Sequence, residues 1–371
     1  MHFTDRTLLP ENMDPLIITA APYGPIWMPE DVPGDIPVTW DEQVQAAVDC
    51  REAGASVLHI HVRDPKTGHI SKNFDEYGAQ IARLREAVPD MVLQVGGSIS
   101  FAPEGNAVAT WQGYDTRHML TTIDPKPDQI TIAIGTTQYD PTAMLRMDDV
   151  EGTHMEDPQV IWNYSQMVAD ATPEFYLEHL KRLREAQIQP AFSLAHLHNL
   201  DSVERMVRRG QYLGPVNGFY SMVGGGCVGS NPFDLLELIR RAPQNSVFAY
   251  QSMFRLVWPI SSLCIALGQH VRVGVEENLW GARKGERLKS VEMVRKAVRM
   301  ADELARPVAT GKDAHEILQI GTWYDTSDEA LMKIGWPPNR REGEKGFPSH
   351  TTDGRLSELT PEAGRDPRLL L

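Results

Sequence analysis

Eight short apolar runs, each followed by a stretch with helical spacing, constrain this chain more than any other feature of it. They lie at residues 16–21, 57–62, 91–95, 129–134, 190–195, 218–223, 247–251 and 271–275. A continuous apolar run of this length, closed by turn residues, suits a parallel strand buried on both faces. Between the runs the spacing changes. Thr39 and Glu42 form a capping box ahead of Val44, Ala47 and Val48, and residues 74–88 place Tyr77, Ile81, Leu84 and Val88 on one side. Further helical stretches fall near 157–186, 201–210, 233–241, 259–268 and 288–305. Eight strands alternating with helices predict an α/β fold, a (β/α)8 TIM barrel. A doubly wound open sheet is the alternative, but no GxGxxG follows the first run.

The predicted domain plan has three parts. Residues 1–15 form a polar N-terminal arm, 16–318 the catalytic barrel, and 319–371 a C-terminal extension. The extension is rich in Pro, Gly, Trp and charge without a period, and is expected to lie over the barrel or a neighbouring subunit. Residues 101–126, carrying Trp111, Tyr114 and His118, read as a long irregular insertion.

With 371 residues, 42% hydrophobic and 23% charged, the composition is that of a soluble globular protein. Cys50, Cys227 and Cys264 are odd in number and form no CxxC, which fits a reducing cytoplasm rather than a disulfide framework. A formal net charge of −14 argues against a nucleic-acid partner. No 18-residue apolar run is present, so no membrane span is expected.

In a parallel barrel every strand points its carboxyl end at one face, where catalytic residues collect. His59 and His61 are two residues apart at such an end, so they share a face and make half of a divalent-metal site. Ordinary packed histidines are the plainer reading. Gly96-Gly97-Ser98 ends the third run with backbone N–H groups suited to an anionic oxygen, and Thr131 lies in the fourth. Glu276 and Glu277 follow the last run. Being adjacent, they face opposite ways: one can complete a His₂Glu site with an open coordination position, and the other can pair with Arg272 as a base. The alternative is that both begin a solvated loop. His196 and His198 form a second HxH, either a competing metal pair or pocket histidines.

The segment from Gly54 to Arg63 through His59-Ile60-His61, the Gln94-Val95-Gly96-Gly97 stretch, and the segment from Gly268 to Asn278 containing Arg272-Val273-Gly274-Val275-Glu276-Glu277 resemble the β-keto acid cleavage enzymes. The founding activity of that family is 3-keto-5-aminohexanoate cleavage. Ile18-Thr19-Ala20-Ala21 and Arg306-Pro307-Val308-Ala309-Thr310 are also similar, and the likeness covers about residues 15–320. It implies a zinc enzyme, a homo-oligomer (tetramer or dimer), that condenses a β-keto acid with acetyl-CoA. The adduct then undergoes retro-Claisen cleavage to acetoacetate and a new acyl-CoA. It places His59, His61 and Glu276 on the zinc, Arg272 and Glu277 on the pair that removes the substrate proton, and Thr131 on the substrate.

Departures from the family pattern bear on the substrate. Glu277 replaces an aspartate, Gly96 stands where the family has a substrate-side serine (with Ser98 as a stand-in), and Ser193 where it has a glutamate. The glutamate that holds the founding enzyme's substrate ammonium aligns with Ile26. Tyr23-Gly24-Pro25-Ile26-Trp27-Met28 is apolar and aromatic, with Tyr23 expected at the substrate. An ammonium there would lose hydration without a counter-charge, so an uncharged substrate tail is predicted. Cation–π contact with Trp27 or Tyr23 would admit a quaternary amine, and Glu30 or Asp31 could fold back as a hidden carboxylate. The alternatives are a zinc barrel hydrolase or aldolase that does not use CoA, and a non-catalytic binding barrel.

Overall fold

Strands β1 (Ile18–Ala20), β2 (Val57–Ile60), β3 (Val92–Val95), β4 (Gln129–Ala133), β5 (Gln189–Leu194), β6 (Asn217–Ser221), β7 (Val247–Gln251) and β8 (His270–Val273) close into a barrel in chain order. All neighbours are parallel, and β8 closes on β1 with Ile18 opposite Val271 and Ala20 opposite Val273. This computed structural model describes residues 8–100, 108–143, 145–221, 231–251, 257–276, 278–281 and 285–340. Gly224-Gly225-Gly226, Cys227 and Glu277 lie outside the described residues, as do 1–7 of the expected arm and 341–371 of the expected extension.

The strands are short, and both of their faces are covered. Leu58, Ile60, Leu93, Val95, Val271 and Val273 enter the main apolar core, which the surrounding helices complete. The opposite parity carries His59, Gln94, Gln129, Thr131, Arg272 and other polar groups into the barrel. The helices are α1 (Trp40–Glu52), α2 (Phe74–Ala87), α3 (Tyr114–Met119), α4 (Pro158–Ser165), α5 (Pro173–Ala186), α6 (Leu197–Arg208), α7 (Pro232–Arg241), α8 (Val257–Ala266), α9 (Ser290–Glu303), α10 (Gly311–Ile317) and α11 (Ser327–Ile334). Thr39 and Glu42 do form a capping box on α1. Helix α10 and Leu318 plug the amino end of the barrel, where Ala314 and Leu318 pack with Ile17, Val57 and Val92.

Four local expectations change. The stretch predicted as one helix over 157–186 is two, because Pro173 opens α5, and proline is tolerated at a helix's first position but not inside it. Val168–Ala169 precedes it and pairs antiparallel with Thr137–Gln138. The insertion is partly regular: Ile99–Ser100 pairs with Thr110–Trp111, and α3 follows. Helix α6 begins at Leu197, with His196 as its N-cap residue. In the extension, α11 forms between the Thr326 cap and left-handed Gly335. These elements are two to eight residues long, apart from α5 and α6, and too short to show a period.

Candidate metal centre and active site

Parity at the end of β2 brings His59 and His61 into the barrel, and the turn after β8 brings Glu276 over them. The two Nε2 atoms stand 3.2 Å apart. His61 Nε2 is 3.4 Å from Glu276 Oε1, and His59 Nε2 is 3.6 Å from Glu276 Oε2. Among the described residues these three form the one cluster of His, Cys, Asp and Glu able to share a cation. The spacings fit such an ion: zinc–nitrogen and zinc–oxygen bonds of about 2.0–2.1 Å give tetrahedral ligand–ligand edges of ~3.3–3.4 Å. Glu276 Oε2 is buried with no hydrogen-bond partner, and a buried carboxylate oxygen in that condition is what a cation satisfies.

The protonation states agree. Burial first, then the charge of Arg272, push the His59 imidazole well below its usual range, leaving it neutral. Burial alone would raise the Glu276 carboxyl, but Arg272 and the two histidines hold it well below the ordinary carboxylate range. Arg272 Nη2 lies 2.7 Å from Glu276 Oε1, and its guanidinium sits 4.8 Å from the centre of the Phe219 ring. His59 Nδ1 pairs with Gln94 Oε1 at 2.9 Å.

A cavity open at its mouth rises from this cluster. Gly96, Gly97, Ser98, Thr131 and Ser193 line it near the base, while Pro25, Ile26, Ile99, Trp111, Ala133, Ile134, Tyr139 and Phe219 supply most of the rest. The Gly96 N–H is committed to the Ile60 carbonyl at 2.9 Å, so it cannot take part in the anion cradle expected for it. A Cβ on Gly96 would lie 2.5 Å from His59 Nε2 and 2.8 Å from His61 Cε1. The histidine pair fills the space a serine would need there.

Tyr23 is a correction. It is fully buried and does not line the cavity, and its hydroxyl has no hydrogen-bond partner. Trp27 is also buried, edge-on to Trp280 at 5.4 Å. Pro25 and Ile26, between them, form that wall. Arg63 fixes it from behind, donating to the Gly24 and Trp27 carbonyls and, across to the next loop, to Gly68. Neither suggested hidden carboxylate enters: Glu30 is exposed, and Asp31 accepts hydrogen bonds from the Met28 and His154 backbone N–H groups and faces His154 Nδ1, each at 2.7 Å. His196 Nε2 is 2.9 Å from Thr137 Oγ1 and its ring stacks on His198, apart from the metal cluster. Gln94 and Gln129 carry structure behind this site that sequence reasoning missed. The signal available for the glutamines was their polarity at inward-facing parity in apolar strands.

The profile of the family described as beta-keto acid cleavage enzyme matches residues 15–320. The chain belongs to the beta-keto acid cleavage enzyme family. It is 29% identical over 311 residues to a 3-keto-5-aminohexanoate cleavage enzyme of Acetoanaerobium sticklandii, covering 83% of this chain and 99% of that one. To a 3,5-dioxohexanoate:acetyl-CoA acetone transferase of Paraburkholderia graminis it is 27% identical over 319 residues, covering 82% and 96%. In the solved apo structure of ObcA the same fold recurs, with a TM-score of 0.56 at 15% identity over 78% of this chain and 66% of that one, just under two thirds. This family member is an enzyme, a transferase that remakes carbon–carbon bonds. Among the described residues no helix is long and apolar enough to cross a membrane.

Proposed function

We propose that the enzyme uses zinc and acetyl-CoA to cleave a 3-keto acid with an uncharged tail, giving acetoacetate and a new acyl-CoA. The carrying observation is a cavity whose base holds His59, His61 and Glu276 and whose walls are apolar. Among the described residues lining it, Glu276 is the single carboxylate, and Arg272 already faces it. Among the described lining residues a substrate ammonium would find no free counter-charge.

His59, His61 and Glu276 would hold the zinc, which as a Lewis acid makes the C–H between the ketone and carboxylate easier to ionise. Ser98 and Thr131, which line the same cavity, are assigned the hydrogen bonds to the substrate's oxygens. Glu277, with Arg272, is assigned the proton removal from C2, acting through water. The C2 carbanion attacks the acetyl carbonyl of acetyl-CoA and expels the CoA thiolate. That thiolate adds to the substrate's original ketone carbon, the bond to C2 breaks, and the proton first taken up by Glu277 returns to the C2 carbanion. Acetoacetate leaves with the acetyl group, and the tail leaves as its CoA thioester, so the reaction needs no oxidant or added water.

The relatives support the acetyl-CoA exchange and leave the tail open: one is named for a 3,5-dioxohexanoate:acetyl-CoA acetone transfer and another, 23% identical, for a 3-dehydrocarnitine:acetyl-CoA trimethylamine transfer in Rhizobium meliloti. The test compares kcat/KM for 3-keto-5-aminohexanoate, 3-dehydrocarnitine and an uncharged 3-keto acid of matched length. The uncharged acid should be preferred. Equal or faster turnover of either cationic substrate would overturn the tail assignment, and the quaternary amine's success would direct attention to Trp111 and Tyr139.

A further inference from the structure

Four side chains form one lateral row inside the barrel. The strand register sets His59 opposite Gln94, Gln94 opposite Gln129, and Gln129 opposite Gln189. Neighbouring strands are ~4.8 Å apart, a spacing at which glutamine amides join side by side, as in amide ladders. The row is hydrogen-bonded throughout. Gln189 Nε2 donates to the Gln319 carbonyl, Gln129 Nε2 to Gln189 Oε1, and Gln94 Nε2 to Gln129 Oε1, each at 2.9 Å. Gln94 Oε1 then meets His59 Nδ1 at the same distance. All four side chains of the row are buried.

The direction of the row is fixed from its far end. A backbone carbonyl can only accept, so Gln189 must turn its NH₂ to Gln319. Asn217 Nδ2 confirms that polarity, donating both to Gln189 Oε1 at 3.1 Å and to the Leu318 carbonyl. Each amide then dictates the next, and the last presents an oxygen to His59. An oxygen there requires a proton on Nδ1, which leaves the Nε2 lone pair facing His61 and Glu276. His61 has no such partner: its Nδ1 is buried and unpaired.

We propose that Gln94, Gln129 and Gln189 are positioning residues: together with the carbonyls of residues 318 and 319, which follow α10, they lock His59 in its Nδ1–H tautomer and so preset it as the leading metal ligand. The plug at the amino end of the barrel thereby tunes a site at the opposite end. This inference rests on the metal reading above, yet its first test does not. In metal-free wild-type protein labelled with ¹⁵N-histidine, the His59 signals, identified by their loss in His59→Ala, should show a protonated Nδ1 and a bare Nε2.

The second test is zinc affinity by chelator competition. Gln94→Leu should bind zinc ~10- to 100-fold more weakly, as for loss of a partner behind a ligating histidine. Gln94→Glu, which restores an acceptor, should stay closer to wild type. Gln189→Leu touches neither a metal ligand nor the cavity lining, and should shift the His59 tautomer and weaken zinc binding by less. A wild-type His59 protonated at Nε2 overturns the proposal, as does equal weakening by Gln94→Leu and Gln94→Glu. An unchanged tautomer and affinity in Gln189→Leu overturns the relay. Failure of wild-type protein to bind any zinc would instead overturn the metal reading, with the tautomer spectrum still deciding this one.

Discussion

The Nε2 atoms of His59 and His61 face each other at 3.2 Å, inside a barrel that gives neither nitrogen a protein acceptor better than Glu276. Two imidazole lone pairs cannot share that space without a cation or a proton between them. Arg272 pairs with the carboxylate, and its charge disfavours a protonated His59, so a cation bound among the three side chains is the occupant the proposal gives this space. Purified enzyme should carry one zinc per chain by elemental analysis, and His61→Ala should lose it. Retention of metal in His61→Ala with its loss in His196→Ala or His198→Ala would move the centre to the other pair.

With Glu276 in the cluster, the proposed mechanism gives proton transfer to Glu277. Glu277→Gln should keep its zinc while kcat falls on the order of 10²–10⁴, the usual effect of losing a general base. Zinc analysis and kinetics on one preparation separate the roles. Metal loss in that variant would exchange the assignments of the two glutamates.

Ile26 occupies the cavity wall at the position the family likeness gives to an acid. A charged hydrogen bond contributes about 1.5–3 kcal/mol, so Ile26→Glu should raise the kcat/KM ratio of 3-keto-5-aminohexanoate over an uncharged 3-keto acid by at least about tenfold. An unchanged ratio would show that this wall does not read the tail.

Much of the architecture was legible because burial on both faces writes continuous apolar runs, and all eight barrel strands lie at the predicted runs within a residue or two. That His59, His61 and Glu276 come together was legible for a related reason: polar groups at inward parity at strand ends meet inside the barrel. The misses are nonlocal. Tyr23 had the right composition for a pocket wall, but only the path of the loop shows that Ile26 faces the cavity and Tyr23 the core. The amide row needs the register between four strands, and Asp31 meets His154 across 123 residues. No spacing within one segment encodes those contacts.

That last contact gives a pH prediction. Asp31 joins the loop after β1 to the segment between β4 and α4. Burial opposes its charge, but hydrogen bonds from His154 and Met28 outweigh burial and hold the carboxyl below its ordinary 3.8. A depressed folded value means the stabilisation is complete above about that pH and fades as pH falls through the lower folded value. Asp31→Asn should therefore destabilise the protein by about 1–2 kcal/mol near neutrality. In thermal melts at decreasing pH its deficit should shrink below 3.8; a deficit that grew on acidification would contradict the assignment.

The central claim is an exchange of acyl groups between a 3-keto acid and acetyl-CoA at the His59–His61–Glu276 centre. The direct measurement supplies acetyl-CoA labelled with ¹³C in its acetyl group together with an unlabelled, uncharged 3-keto acid, and follows both products by mass spectrometry. The account predicts label in the acetyl half of acetoacetate and an unlabelled new acyl-CoA, with no turnover when acetyl-CoA is omitted or His61 is replaced by alanine. Unlabelled acetoacetate, or cleavage that proceeds without acetyl-CoA, would contradict it.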